Sequence, residues 1–327
     1  MIDFVKTRFL KIEHRYFPSV GVLGSLIIIG LVFGFITNKF FKLDTLAGIF
    51  TITAEIGMVC IPLALLIISA EFDLSVGSTF AFAGVLGALL LNQRVNSFLV
   101  LAAAIIFGIC IGTINGTLVT KLRLPSFIVT LGIMFILRGL LLVITAGFPV
   151  SFKGSNMLLF VLNGKLTGEF RMSFIWLILC VIFFHFILNH TRHGNWSLAC
   201  GGNVDVAQAM GIPTSRVKLI NFMLVGATSA FAGMLSFARF GMAYPTLGEG
   251  MELEAIAAAV LGGCALRGGF GTIFGASLGA LLIASLRVGL VLVGAPAYWY
   301  RAFVGLILLI GIIINKEIMR QLVGGEQ

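Results

Sequence analysis

Charged residues are scarce in this sequence: Asp, Glu, Lys and Arg make up 11% of its 327 residues, against about 25% in soluble domains. That scarcity excludes an ordinary soluble domain. A Walker A loop is also missing, because Gly164-Lys165 has no glycine at the required offset and Leu166 stands where Ser or Thr would meet the metal. Any ATPase that drives this chain is therefore another polypeptide. Five cysteines (Cys60, Cys110, Cys180, Cys200, Cys264) form no CxxC pair, which excludes a thiol redox or zinc-ribbon motif. Alternating ten-residue segments are absent, so a transmembrane β-barrel is excluded.

Catalytic sets are missing as well. No Ser/His/Asp arrangement stands out, and His185, His190 and His193 cluster near one helix end without ligand spacing or a local carboxylate. They read as interfacial basic residues, and no metal site is expected. The run Gly269-Phe270-Gly271-Thr272-Ile273-Phe274-Gly275 has the wrong spacing for a dinucleotide loop and no βαβ context. The chain is expected to be no enzyme.

What is present is apolar sequence: 59% hydrophobic residues and a mean hydropathy of +1.10. Ten segments match or approach the roughly 20 apolar residues that cross a bilayer as a helix: 20–38, 46–69, 76–92, 97–120, 126–146, 173–189, 217–238, 253–266, 270–293 and 296–314. The eighth is too short to cross alone and reads as a half-helix or re-entrant piece. The expected fold is all-α and polytopic, with one domain filling 1–327 and some helices short or broken. Lys6, Arg8, Lys11 and Arg15 precede the first segment, but its apolar run is too long for a signal peptide and no small-residue cleavage site follows. It reads as a retained helix.

An even number of spans puts both termini on one side, and the N-terminal cluster with Lys316 and Arg320 makes that side cytoplasmic. The formal net charge of +9 sits at helix ends rather than along a basic stripe, so nucleic acid is not an expected partner. The bilayer is. Trp176, Trp196, Trp299, Tyr298 and Tyr300 read as interfacial aromatics. Gly275 and Gly279 have small-xxx-small spacing, which suits close helix packing, with a hinge as the alternative.

The polar island Ser69-Ala70-Glu71-Phe72-Asp73-Leu74-Ser75-Val76-Gly77-Ser78 interrupts this apolar sequence. Ionisable groups at membrane depth face a bundle interior or a water-filled path. Glu55, Glu71 and Asp73 flank Pro62, which is able to break the second helix and open backbone onto such a path. The alternative reading is that Asp73 or Ser75 caps the third helix. Candidate pathway residues are Glu55, Glu71, Asp73, Ser75, Asn115, Phe127 and Thr130. Arg138, deep in the fifth segment, needs a carboxylate or carbonyl partner, and Glu55 is expected to supply it. Further on, Asn203 reads as the N-cap of two helical turns over 204–210, stopped by Gly211 and Pro213. Such a helix either fits a partner's groove or serves as an interfacial linker. Glu249, Glu252 and Glu254 form an acidic cluster on the expected outer side, either docking a basic partner or ending a helix.

At these residues the chain resembles the permease subunits of bacterial ABC importers for simple sugars, of the ribose, xylose, arabinose and galactoside type. The resemblance rests on Asp73-Leu74-Ser75-Val76-Gly77-Ser78, Asn115-Gly116, Pro125 to Gly132, Arg138-Gly139, Gly201-Gly202-Asn203 through Gly211-Ile212, and Glu252-Leu253 through Gly268-Gly269-Phe270-Gly271. It implies a type II ABC importer-like fold in the bacterial inner membrane and a second permease copy or paralogue. Cytoplasmic ATPase subunits holding ATP and Mg, and a periplasmic solute-binding protein, are implied too; this chain would bind no cofactor. The loop at about 190–216 then looks like the coupling segment, with Asn203, Ala207, Met210 and Gly211 at the ATPase. Where the family commonly has Gly-Gly-Ile, this chain has Ala70-Glu71-Phe72, which leaves open a sugar other than ribose, a polyol or another small polar solute. A branched-chain amino-acid permease and an ion-coupled transporter are the competing expectations.

Overall fold

The computed structural model describes residues 21–154, 156–296, 299–300, 302–306 and 309. The basic N-terminal cluster, Tyr298, Lys316, Arg320 and much of the expected span 296–314 lie outside the described residues. In chain order the helices are α1 (Gly21–Ile36), α2 (Leu43–Ile68), α3 (Val76–Asn92), α4 (Ser97–Lys121), α5 (Ser126–Thr145), α6 (Met157–Asn163), α7 (Met172–His190), α8 (Arg192–Gly202), α9 (Val204–Ala209), α10 (Thr214–Phe240), α11 (Met251–Leu261) and α12 (Ile273–Leu292). Two small antiparallel pairs accompany them: β1 (Val150–Ser151) with β4 (Met242–Ala243), and β2 (Lys165–Thr167) with β3 (Phe170–Arg171).

Among the described residues, six helices are long and apolar enough to cross a membrane: α2, α4, α5, α7, α10 and α12. The chain is thus a multi-pass, all-α membrane protein. The expected count of ten crossings is not what these helices give. Helix α1 and the 17-residue α3 are shorter apolar helices, and α11 has only 11 residues before Gly262 and Gly263 end it. A half-helix was the expectation for that segment.

Helix α2 is the axis. Its most apolar stretch is 94% buried, and it packs on α12, α10, α7, α11 and α8. Pro62 lies inside it without breaking it, since α2 runs unbroken from Leu43 to Ile68. The missing proline N–H removes one helical hydrogen bond, and the neighbours packed around residues 54–68 hold the helix through that point. The expected break at Pro62 is corrected accordingly.

Helices α10 and α4 pack closely, and small residues permit it. A Cβ at Gly226 would overlap the Gly108 carbonyl oxygen, and one at Gly112 would overlap the Phe222 carbonyl oxygen. Helix α12 sits equally close to α11, because a Cβ at Gly279 would overlap the Ala258 carbonyl oxygen. Without a hydrophobic drive between helices in lipid, such van der Waals contact is what holds them together. The Gly275/Gly279 spacing therefore serves packing.

Because chain direction alternates, the ends of α2, α4, α7 and α11 share one end of the bundle with α8 and α9. Residues 122–125, 191–213 and 262–272 form that end, with the 69–75 connector just inside it. The β1–β4 pair and the β2–β3 hairpin lie at the other end. Replacing Gly226 with Val is expected to lower folded yield and the thermal midpoint in detergent, a cost of about 1–3 kcal/mol from overpacking. Gly132→Ala, with nothing within 4 Å of the added carbon, is expected to leave both unchanged.

Candidate functional site

The polar island is a connector, and most of its backbone N–H groups are hydrogen-bonded. Ala70 and Glu71 N–H donate to the Ile67 and Leu66 carbonyls (2.8 and 3.2 Å), closing the end of α2. Phe72 N–H donates to Ser126 Oγ (3.2 Å) and Leu74 N–H to Thr130 Oγ1 (3.0 Å), both side chains on α5. Ser75 N–H and Oγ–H both donate to Asp73 Oδ1 (2.8 and 2.6 Å). Asp73 thus folds back on the start of α3, in the manner of an Asx turn.

Helix α4 completes this cluster. Asn115 Nδ2 donates to Asp73 Oδ2 (3.2 Å) and to Ser75 Oγ (2.9 Å). Asn115 stands six residues from the last residue of α4, which places the connector about 9 Å inside that end of the bundle. Asp73, Ser75, Asn115 and Thr130 are all buried, Asp73 to 1% exposure. Of the candidate pathway residues near the island, only Phe127 is exposed, at 56%. The cluster brings together Asp73, Ser75, Asn115 and Thr130, and seals them from solvent.

Glu71, at the edge of the connector, is paired. Lys218 Nζ, one turn into α10, lies 2.6 Å from Glu71 Oε1, with both side chains mostly buried. Beside it, Asn221 Nδ2 donates to Ser69 Oγ (3.1 Å) and to Ser197 Oγ of α8 (3.2 Å), and His193 Nε2 lies 2.7 Å from Asn221 Oδ1. His193 therefore belongs to a polar cluster inside the protein. Neither Lys218 nor Asn221 was picked out by sequence, although their three-residue spacing puts them on one face of α10.

A backbone contact reinforces the same junction. Gly269 N–H donates to the Ile68 carbonyl (2.8 Å), and a Cβ at Gly201 would overlap both that oxygen and the Gly269 nitrogen. The motifs around Gly201 and Gly268 thus meet the end of α2 directly. Ala70 there takes a left-handed φ of +62°, a conformation that costs a non-glycine residue about 1–2 kcal/mol.

Glu55 lies elsewhere, toward the other end. Its Oε1 is 3.3 Å from Arg239 Nη1 at the end of α10. The expected Glu55–Arg138 pair is absent. Arg138 instead donates through Nη1 to the carbonyls of Pro245 (2.6 Å) and Leu247 (2.9 Å), the carbonyl alternative for a buried cation. Helix α5 places it against the 241–250 loop rather than against α2.

The short helix at α9 follows the sequence expectation closely. Asn203 Oδ1 accepts from the Asp205 and Val206 N–H groups (3.0 Å each), and Gly211 leaves the helix at φ +81°, where glycine carries no Cβ penalty. Ala207 is buried against its own protein, whereas Val206 and Met210 are exposed, Met210 to 77%. Among the described residues no group of three or more potential metal ligands exists.

A bundle of apolar helices with a polar, glycine-tight junction and a capped short helix defines a multi-pass membrane protein. Comparison makes this particular: the chain belongs to the family described as branched-chain amino acid transport system / permease component, which matches residues 45–312. It is 33% identical to the ribose import permease protein RbsC of Escherichia coli K12 over 319 residues, covering 93% of this chain and 97% of that protein. It is 30% identical to the fructose import permease protein FruG of Bifidobacterium longum (97% and 95% covered). It is 33% identical to the autoinducer 2 import system permease protein LsrC of Photorhabdus luminescens (94% and 92% covered). No solved structure matches.

The pairing at Glu55 is open to a direct test. A double-mutant cycle on Glu55→Gln and Arg239→Gln, read by thermal unfolding in detergent, is expected to give a coupling of about 1–3 kcal/mol. The cycle of Glu55→Gln with Arg138→Gln is expected to give none, and the reverse ranking would return Arg138 to Glu55.

Proposed function

We propose that this chain is the membrane-spanning permease subunit of an ATP-driven importer for a simple sugar or a similar small polar solute. The observation that carries the reading is the likeness to ribose, fructose and autoinducer 2 import permeases over more than nine-tenths of the chain. Two permease copies or paralogues, cytoplasmic ATPase subunits and a periplasmic solute-binding protein complete the machine. ATP and Mg belong to the ATPase partner. The membrane is the bacterial inner membrane, crossed several times, with both termini in the cytoplasm.

In this reading α9 is the coupling helix. Its length, its Asn203 cap and the outward Val206 and Met210 suit a partner groove. Ala207, buried, shapes that helix from within, and Gly211, exposed, ends it at φ +81°. ATP-driven closure of the ATPases moves α9, and the bundles rock so that a central path opens to one side and then the other. Phe127 on α5 faces that path, and Glu71, Asp73, Ser75, Asn115 and Thr130 hold its wall in place, with Glu55 doing so nearer the outer end. The tight junction of 201, 268 and 269 with α2 supports such rigid-body motion.

The family description favours one second reading, a branched-chain amino-acid permease. Co-purification with the ATPase encoded nearby, followed by uptake of radiolabelled ribose, fructose and leucine in proteoliposomes, separates the two. Sugar uptake that needs ATP supports the proposal. Leucine uptake would transfer the chain to the second reading, and uptake that survives ATP removal but collapses with the ion gradient would overturn both.

Met210→Asp and Val206→Asp introduce charge on an exposed surface at little folding cost. Each is expected to cut ATP-dependent uptake about tenfold or more while membrane abundance stays normal. Unchanged uptake in both variants would remove α9 from the ATPase interface.

A further inference from the structure

The coupling end of the bundle contains one buried ion pair among the described residues, Glu71 with Lys218, and its placement is unusual. It joins residues 147 positions apart. Lys218 sits at the start of α10, the helix that immediately follows α9 and its Gly211–Pro213 exit. Glu71 sits on the connector, two residues from Asp73.

On either side of α9, the chain grips the same spot. Before α9, α8 presses Gly201 onto the Ile68 carbonyl and holds Ser197 on Asn221. After α9, α10 reaches Glu71 through Lys218 and Ser69 through Asn221. Beyond the connector, the grip continues to α5 through Phe72 N–H on Ser126 and Leu74 N–H on Thr130, and to α4 through Asp73 on Asn115. Contacts to the segments flanking α9 and contacts to the start of α5 are thus joined through the 69–75 backbone.

We infer that Glu71 and Lys218 are positioning residues, an ionic strut that carries movement of α9 through the 69–75 connector to α5. Neither is a solute ligand. Neutral hydroxyl and amide contacts in the same set are individually weak, whereas a partly buried charged pair resists separation and holds its two elements at fixed distance. Loss of one partner leaves the other charge buried alone, and the connector then moves independently of α10.

This strut rests on the reading of α9 as the coupling helix. The test uses the assembled importer with its ATPase subunits in proteoliposomes. Nitroxide labels replace Phe127 at the start of α5 and Phe98 at the far start of α4, both exposed. In the parent complex, ATP is expected to shift the label distance. In Glu71→Gln and Lys218→Met the shifted fraction is expected to fall about tenfold while ATP hydrolysis persists, and the exchange Glu71→Lys with Lys218→Glu is expected to restore the shift.

An equal shift in Glu71→Gln and the parent would overturn the strut. So would failure of both single variants to accumulate in the membrane, which would make the pair a folding requirement only. No shift in the parent complex would overturn the relay to α5. Separately, a parent chain that assembles with no ATPase would overturn the reading of α9 beneath it, whatever the pair does.

Discussion

Hydrocarbon offers peptide groups no hydrogen bonds, so irregular backbone inside a bilayer must be satisfied by protein. The connector from Ser69 to Ser75 lies under that constraint, and much of the bundle is arranged around it. Ser126 and Thr130 turn their hydroxyls from α5 to accept its N–H groups, and Asp73 with Asn115 closes the start of α3. Two glycines from distant loops, Gly201 and Gly269, bring backbone against the Ile68 carbonyl where α2 ends. The connector sits inside the bundle rather than at its surface, and this is why α3 needs only 17 residues.

The same constraint sorts the charged groups. Glu71 takes Lys218, Glu55 takes Arg239, and Arg138 takes two carbonyl oxygens. Each solution differs in chemistry. Asp73 is the exception, a buried carboxylate held by hydroxyl, amide and backbone donors with no cation in contact among the described residues. Its hydrogen bonds are all to elements that must stay together for the connector to hold its shape. The carboxylates singled out in the sequence as pathway candidates are each engaged by groups of neighbouring elements, and of the candidate pathway residues only Phe127 is exposed.

How much was legible in the sequence depended on the range of the interaction. Spans such as 97–120 and 126–146 follow from apolar run length, and the cap at Asn203 follows from a side chain two and three residues from its donors. The shortness of the segment 253–266, expected as a half-helix or a re-entrant piece, is met by the 11-residue α11. By contrast, the partner of Glu55 was a choice among several arginines, decided by which end of α10 lies against α2. Pro62 misled for a related reason: its local cost is real, but tertiary packing around α2 outweighs it. Nothing local in the sequence marks Lys218 or Asn221. Only the approach of α10 to the end of α2 reveals their role.

Hydrogen exchange at the connector tests the central claim most directly. In the purified protein in detergent, the amides of Phe72, Leu74 and Ser75 are expected to exchange as slowly as those in the middle of α2, and far more slowly than the 93–96 turn at the opposite end. Exchange of residues 70–75 at the rate of that turn would contradict a connector locked inside the bundle.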